Sequence, residues 1–444
     1  MNSEELQKDR EFPEDNLIEN SEAFPEEEPA QVKEEAAADS EKETEKREDT
    51  KVTEEAEEEA PKKQRNKGSF IFSLLIAVFC LIIFGVGGAN IIAPDRDFSE
   101  SENRVLSKMP EFTFFSLAEG TFTDDFETYL TDQFIFRDEI IAAKTFLERI
   151  VGKKKAGGVY IGKDGYLFSE DTAFDERSVT EMTDALSAFA DKYKESRITF
   201  MLSPNSSLVN SDKLPENLVF HDQNLLIQDI ESYTLSERVS WLNLSETFTE
   251  YEDRDSLFYK TDHHWTTRAA HLAFTKLMAE WEKDISKTEF NFMSVADDFQ
   301  GTLSSKAGVL STFDTVEICV PEKSELSDLV TIDGQEEKRA TLFDESKLSG
   351  KNKYEVFLGG NYGRVTIDTA SESNDSLLII KDSYANCMVP MFTPFFAKIV
   401  LIDPRYFKES LAETVEENGF THILFLYNLN TLLEDRELAE CLGK

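Results

Sequence analysis

Residues 70–92 read FIFSLLIAVFCLIIFGVGGANII, an uncharged run of 23 residues. At ~1.5 Å rise per residue, a helix of this length crosses a ~30 Å hydrocarbon layer. Every face of it is apolar, so it lacks the polar side that a helix packed on a soluble core normally presents. The run predicts one transmembrane anchor over 68–94, and an anchor divides the chain between two compartments. Lys62, Lys63, Arg65 and Lys67 precede it, and Asp95, Asp97, Glu100 and Glu102 follow. The positive-inside bias puts the N-terminus in the cytoplasm and 95–444 outside the plasma membrane. A cleaved signal peptide would draw on the small residues Gly87-Gly88-Ala89. Its apolar core, however, is normally only ~7–15 residues behind a short basic lead, so the anchor fits better.

Residues 1–67 hold 24 acidic and 11 basic side chains with few aromatics. They bury too little apolar surface to offset chain entropy, and a disordered acidic cytoplasmic tail is expected. From residue 68 on, 64 acidic face 36 basic residues, a net charge of about −28. This excludes nucleic acid as a natural partner and disfavours long-range attraction of a strongly anionic polymer; a neutral or weakly charged glycan suits it better. Cys80 lies in the apolar run, and Cys319, Cys387 and Cys441 are widely spaced with no Cys-x-x-Cys. Neither a disulfide framework nor a thiolate zinc site is written here.

Beyond the anchor, 97–110 reads as extended, and 124–134 and 137–151 as amphipathic helices. Residues 158–168 carry a hairpin signal around Asp164-Gly165. The pattern then alternates: helices at 178–195, 224–233 and 266–283, with strands at 198–202 and 239–244. Residues 315–320, 340–343, 355–358 and 365–368 are short strand candidates in a β-rich insertion at about 285–370. The alternation returns with strands at 377–380, 398–403 and 422–427, a helix from about Tyr384 and another at 409–418. Apolar runs such as LLII, IVLI and ILFL between helices are what a parallel sheet covered on both faces requires. One α/β domain with a doubly wound sheet is expected over 95–444.

Two short strings carry chemistry. Thr261-Asp262-His263-His264-Trp265-Thr266 holds two of the five histidines, and Lys381-Asp382-Ser383-Tyr384-Ala385 follows a buried-type strand. On an extended segment, residues two apart share a face, so Asp262 can hold the ring of His264 while His263 points away. A base fixed in one tautomer is what an unactivated serine hydroxyl needs, and Ser383 sits where strand turns to helix. Backbone N–H groups there, on Ser383 or Tyr384, would stabilise an oxyanion, although Asp382 or Ser383 could equally be a plain helix cap. Thr266 can cap the following helix and Trp265 can wall the site. A metal bound by Asp262, His263 and His264, with His271 or Asp255 added, is disfavoured because adjacent histidines on an extended chain diverge and no His-x-x-x-His occurs. No metal and no cofactor are expected. His221 and His422 are isolated and read as structural.

These residues resemble the signature of the DHHW protein family. Supporting strings are Phe98-Ser-Glu-Ser-Glu-Asn-Arg-Val-Leu, Asp132-Gln-Phe-Ile-Phe-Arg-Asp, Gly301-Thr-Leu-Ser-Ser-Lys-Ala-Gly, Phe357-Leu-Gly-Gly-Asn, Lys381-Asp-Ser-Tyr-Ala and Asp403-Pro-Arg-Tyr, and the resemblance runs from about residue 98 to 430. That family is similar to the SGNH-hydrolase-like proteins that O-acetylate alginate, in which an Asp-x-His pair precedes the serine. The resemblance implies an SGNH-hydrolase-like fold with Asp262 as orienting acid, His264 as base and Ser383 as nucleophile. The ordinary Asp-x-x-His spacing is absent, since Lys260 and Thr261 stand three before His263 and His264. Gly360 and Asn361 are oxyanion candidates by the same resemblance. Asn205, in the strand-end loop Ser203-Pro204-Asn205, and Lys381, Asp382 and Arg405 are candidates to line the cleft.

The expected activity is that of a membrane-anchored, extracytoplasmic serine-dependent O-acyltransferase or acetylesterase acting on a cell-envelope polysaccharide. Acetyl-CoA is absent outside the membrane, so a transferase would need a donor delivered across it, by analogy from a membrane-bound O-acyltransferase partner. A reading from a different class is a non-catalytic glycan-binding or envelope-assembly protein on the same scaffold.

Overall fold

The computed structural model describes residues 67–96, 98–99, 104–309, 311–322, 329–333, 335 and 338–443. The expected acidic tail lies outside them up to residue 66. Lys67–Ile92 forms one α-helix, and Ile71–Ile92 within it is, among the described residues, the helix long and apolar enough to cross a membrane. At ~1.5 Å per residue its 22 residues reach about 33 Å. The chain after it is tied back to the helix end. Asn90 Oδ1 accepts from Ile135 N (2.6 Å), Gln133 bonds both backbone groups of Arg96 (2.9 Å each), and Tyr129 donates to Asp95 (2.9 Å).

The central sheet has seven strands: β1 Arg197–Ser203, β2 Val239–Asn243, β3 Leu329–Ile332, β4 Arg364–Asp368, β5 Ser376–Lys381, β6 Lys398–Ile402 and β7 His422–Asn428. Their spatial order is β3-β4-β6-β5-β7-β1-β2. The five strands from β6 to β2 run parallel, and β4 and β3 close one edge antiparallel. β5, β6 and β7 are buried on both faces, which is why they read as apolar runs. In β5, Leu377 and Ile379 enter one core while Leu378 and Ile380 enter the other. Thr267–Glu280 covers the first face through Ala270, Phe274 and Leu277. Glu176–Lys192, Gln223–Tyr233 and Leu411–Asn418 cover the second through Leu186, Phe189, Ile230 and Val415. The expectation of a doubly wound α/β sheet holds, with a mixed rather than purely parallel sheet.

Several local expectations differ. Of the β-rich stretch, Phe290–Phe299 and Asp314–Pro321 form a separate antiparallel hairpin, whereas β3 and β4 extend the main sheet. The strands expected at 340–343 and 355–358 reduce to one bridge, Phe343 to Phe357, beside a 3-10 turn at Lys353–Val356. Tyr354 and Val356 are buried in the core cluster outside any strand, and Phe357 joins them with only that bridge, so packing and not alternation accounts for their burial. The helix expected from Tyr384 is a 3-10 turn, Ser383–Cys387, followed by the four-residue helix Val389–Phe392. The hairpin at 158–168 forms, Val159–Ile161 pairing with Leu167–Ser169, and Asp164 and Gly165 both take positive φ (55° and 84°) at its turn.

Ile379 is fully buried at the centre of the sheet, so Ile379→Ala should cost ~2–5 kcal/mol by denaturant unfolding. Leu235→Ala, at a side chain 77% exposed, should stay within ~0.5 kcal/mol.

Candidate active site

The five parallel strands end on one side of the sheet, where connections leave β5 and β7 in different directions, and ligands collect at such a point. Asn205 follows β1, Ser383 follows β5, Arg405 follows β6, and Asn428 ends β7 and leads to Asn430. All of them line one cleft of about 570 Å³, together with His263, His264, Thr302, Tyr354, Gly360, Asn361 and Asn386.

The histidine loop is not extended. Phe258 bridges Trp265, and Thr266 N donates to Leu257 O (2.9 Å), so 257–266 closes into a tight loop. Asp314, partly buried and with its carboxyl pushed up by loss of solvent, clamps the loop by accepting from Lys260 N (2.9 Å), Thr261 N (2.7 Å) and Thr261 Oγ1 (2.5 Å). Thr266 Oγ1 accepts from Ala269 N (3.3 Å) and caps Thr267–Glu280. Asp262 makes an Asx turn, its Oδ1 accepting from His264 N (3.0 Å). That turn, and not strand alternation, brings carboxylate and imidazole together.

Asp262 Oδ1 lies 2.5 Å from His264 Nδ1, and His264 Nε2 lies 2.7 Å from Ser383 Oγ. Asp262 Oδ2 accepts from Thr302 N (2.8 Å) and Thr302 Oγ1 (3.1 Å). Burial by itself would raise the Asp262 carboxyl, but the two neighbouring imidazoles and the hydrogen bonds from His264 and Thr302 hold it well below the usual carboxylate range. An ionised carboxylate has no proton to give, so the proton of the short contact sits on His264 Nδ1 and the Nε2 lone pair faces the serine hydroxyl. The imidazole is fixed from the side as well. Tyr354 stacks on it (centroids 3.9 Å apart, planes 12° apart), and the Tyr354 hydroxyl donates to Ser383 O (3.2 Å). Trp265 Nε1 donates to Tyr384 O (2.8 Å), joining the two strings directly. Gly301 backs against the Asp262 carboxylate, where any Cβ would collide with it.

The strand-end serine is held by Asp382, whose Oδ1 accepts from Tyr384 N and Oδ2 from Asn428 N (2.8 Å each). Tyr384 N–H is thus occupied, which removes it from the oxyanion candidates. The turn after Ser383 is also too short to supply a helix dipole of any size. Asn361 is placed differently: its Oδ1 accepts from Asn386 Nδ2 (3.1 Å) and faces Lys381 Nζ (3.5 Å), so the amide is oriented with Nδ2 as its outward donor. Gly360, at φ 129°, lines the cleft, and its N–H points to Phe357 O (3.4 Å).

Lys381 and Asp382 do not line the cleft. Lys381 is buried beneath it, 3.7 Å from Asp403, and Asp403 also takes both arms of Arg405 (2.8 and 2.7 Å). Arg405 reaches the cleft wall with its guanidinium already neutralised. Asn205 Nδ2 donates to Asn430 Oδ1 (2.7 Å), and Asn430 Nδ2 to Glu170 O (3.0 Å), so the amides on that wall are mutually ordered.

His263 departs from expectation. It packs on His264 (centroids 3.9 Å apart) instead of pointing away, and its Nδ1 lies 3.0 Å from Thr302 Oγ1. Asp262, His263 and His264 therefore offer ligand-type atoms within 4.8 Å of one another. Asp262 Oδ1 and Oδ2, both ring nitrogens of His264 and His263 Nδ1 are engaged in hydrogen bonds within the cluster and to Ser383 and Thr302. His271 packs against Phe290 and Asp255 pairs with Lys213, so neither completes the set. Sequence reasoning gave no role to Thr302, Tyr354 or Asn386. Thr302 stood inside the Gly301-Thr-Leu string, and the other two carry no local signal.

Thr302→Val removes a hydroxyl bond to a buried carboxylate and should cost ~1–3 kcal/mol by denaturant unfolding. Because the fold lowers the proton affinity of Asp262, the stability this group adds is present above the ordinary aspartate value of ~3.9 and is lost as pH falls through the lower folded value. The Asp262 contribution to the stability gap between wild type and Asp262→Asn should therefore be full above ~3.9 and shrink progressively as pH falls from there toward the folded value.

Residues 159–358 match a family model described as ALGX, SGNH hydrolase-like domain, acetyltransferase AlgX. A DHHW family protein from Eubacterium siraeum superposes with a TM-score of 0.53 at 22% identity, over 65% of this chain and 96% of that one. Bacillus cereus PatB1 superposes with a TM-score of 0.52 at 18% identity, over 62% of this chain and 96% of that one. PatB1 with a sulfonyl adduct gives a TM-score of 0.52 at 18% identity, over 63% and 98%. A comparison with curated proteins returns no match. Residues 159–358 are thus similar to the SGNH hydrolase-like domain of AlgX, and the chain shares its SGNH-like α/β fold with the DHHW family protein and PatB1.

Proposed function

We propose that this protein is a membrane-anchored O-acyltransferase or acetylesterase that acts outside the plasma membrane on a cell-envelope polysaccharide through Ser383, His264 and Asp262. The observation that carries this reading is the continuous contact from Asp262 Oδ1 through His264 to Ser383 Oγ, at 2.5 and 2.7 Å, opening into the cleft. The acetyltransferase named in the matching family model supports the acyl group and the reaction class. The basic residues before the apolar helix and the acidic ones after it support a cytoplasmic N-terminus.

In this reading Ser383 Oγ attacks the carbonyl carbon of an acyl donor while its proton passes to His264 Nε2. Asp262 keeps Nδ1 protonated and stabilises the imidazolium as it forms. Asn361 Nδ2 and the Ser383 N–H donate to the carbonyl oxygen as it becomes negative. The leaving group takes the proton from Nε2 and departs. A sugar hydroxyl or water then attacks the acyl-serine by the reverse sequence. The amide-lined wall formed by Asn205, Asn428 and Asn430, together with the neutralised Arg405, suits an uncharged polysaccharide better than a polyanion or a nucleic acid. Acetyl-CoA does not reach this side of the membrane, so a transferase draws its acyl group from a donor passed across it, for which a membrane-bound O-acyltransferase is the natural partner.

A fluorophosphonate probe applied to the full chain in detergent tests the reading. Wild type should be labelled, Ser383→Ala should not, and His264→Ala should be slowed by ~10³-fold or more, the scale on which triad members act together. Wild type that resists the probe while binding glycan would replace this reading with that of a non-catalytic binding protein.

A further inference from the structure

Thr302 Oγ1 has one proton and two polar neighbours, Asp262 Oδ2 at 3.1 Å and His263 Nδ1 at 3.0 Å. The carboxylate is ionised and can only accept, so the contact with it is attractive only when the hydroxyl donates there. The hydroxyl oxygen must then accept from His263, which places the proton of His263 on Nδ1. Nε2 is left as a bare lone pair. The His263 side chain keeps 33% of its surface exposed and lines the cleft next to His264. Its backbone is locked too, because its carbonyl accepts from the Tyr384 hydroxyl. Burial and the neighbouring His264 push the His263 imidazole down in pKa, so it stays neutral when His264 takes up a proton.

Two imidazoles thus stand side by side in the cleft lining, centroids 3.9 Å apart, each with an unprotonated Nε2. Only one of them contacts Ser383. We propose that His263 is the acceptor-binding residue of this site and that the acceptor is a vicinal diol, as on a sugar ring. In the second half of the reaction proposed above, on which this inference rests, one hydroxyl oxygen bonds to the acyl carbon of Ser383 and gives its proton to His264 Nε2. The carbon–Oγ bond breaks, and Ser383 Oγ takes that proton back. The neighbouring hydroxyl keeps its proton and donates it as a hydrogen bond to His263 Nε2. Water can supply the first contact but offers no second hydroxyl on an adjacent carbon, so this arrangement favours a sugar over water once the sugar is bound. His263 forms no bond to the acyl group and transfers no proton.

The test uses the full chain in detergent with p-nitrophenyl acetate as donor and trans-1,2-cyclohexanediol or cyclohexanol as acceptor. One hydrogen bond to the second hydroxyl predicts that kcat/KM for the diol exceeds that for the mono-alcohol by roughly tenfold. His263→Phe should bring that ratio close to one, mainly through a higher KM for the diol, and His263→Gln, which keeps an acceptor, should restore part of it. A wild-type ratio near one, acetyl passing to water alone, or equal loss with both alcohols in His263→Phe would overturn the proposal. In 15N-histidine spectra, simplified by the presence of only five histidines, His263 should show a protonated Nδ1 and a bare Nε2; the opposite tautomer would overturn it as well. A wild type that releases p-nitrophenol no faster than Ser383→Ala refutes the serine mechanism itself, a failure separate from that of the diol reading.

Discussion

The Asp262 carboxylate is the interaction on which the rest of this site depends. It is 1% exposed and accepts from His264 N, His264 Nδ1, Thr302 N and Thr302 Oγ1. A buried charge is tolerable only with such a set of donors, and each donor is thereby fixed in place. The Asx turn determines the path of the loop, and the ionised state of the carboxylate determines the tautomer of His264. Through Thr302 the same charge sets the tautomer of His263. Gly301 is the only residue type that leaves room for it.

The sheet supplies the other half of the geometry. Ser383 and His264 are 119 positions apart, and neither carries information about the other's location. Pairing of β5 with β7 and of β7 with β1 brings three strand ends to one edge, and Asp382 ties two of them by accepting from Tyr384 N and Asn428 N. Thr267–Glu280 packs its apolar face on the same sheet, so the loop before it, bearing His264, arrives above the end of β5. Trp265 to Tyr384 then closes the contact. The chemistry rests on rigid elements, which is how a base can be held within hydrogen-bonding distance of a hydroxyl before any substrate arrives.

Much of this was legible in the sequence for identifiable reasons. Doubly buried strands such as Leu377–Ile380 announce themselves as apolar runs, and a span of uniformly apolar residues can be read from length alone. The proximity of Asp262 to His264 follows from their spacing, although through a turn and not a strand. What could not be read depends on tertiary packing. The orientation of His263 follows from a hydroxyl 39 residues away, and the occupied N–H of Tyr384 follows from a cap whose other oxygen serves β7. The 3-10 turn at Lys353–Val356 buries Tyr354 so that its ring stacks on His264, a placement no local pattern records. Lys381 looked like a cleft residue but lies beneath the floor, facing Asp403 and the amide of Asn361.

The central claim is that Ser383 is a nucleophile served by His264 under the control of Asp262. Rapid acid quenching of the full-length protein during turnover of an activated acetyl ester, followed by peptide mapping, measures this directly. The account predicts acetyl on the peptide that contains Ser383, formed at a rate that collapses in Asp262→Ala. Acetyl found on another residue, or on Ser383 at an undiminished rate in that variant, would contradict it.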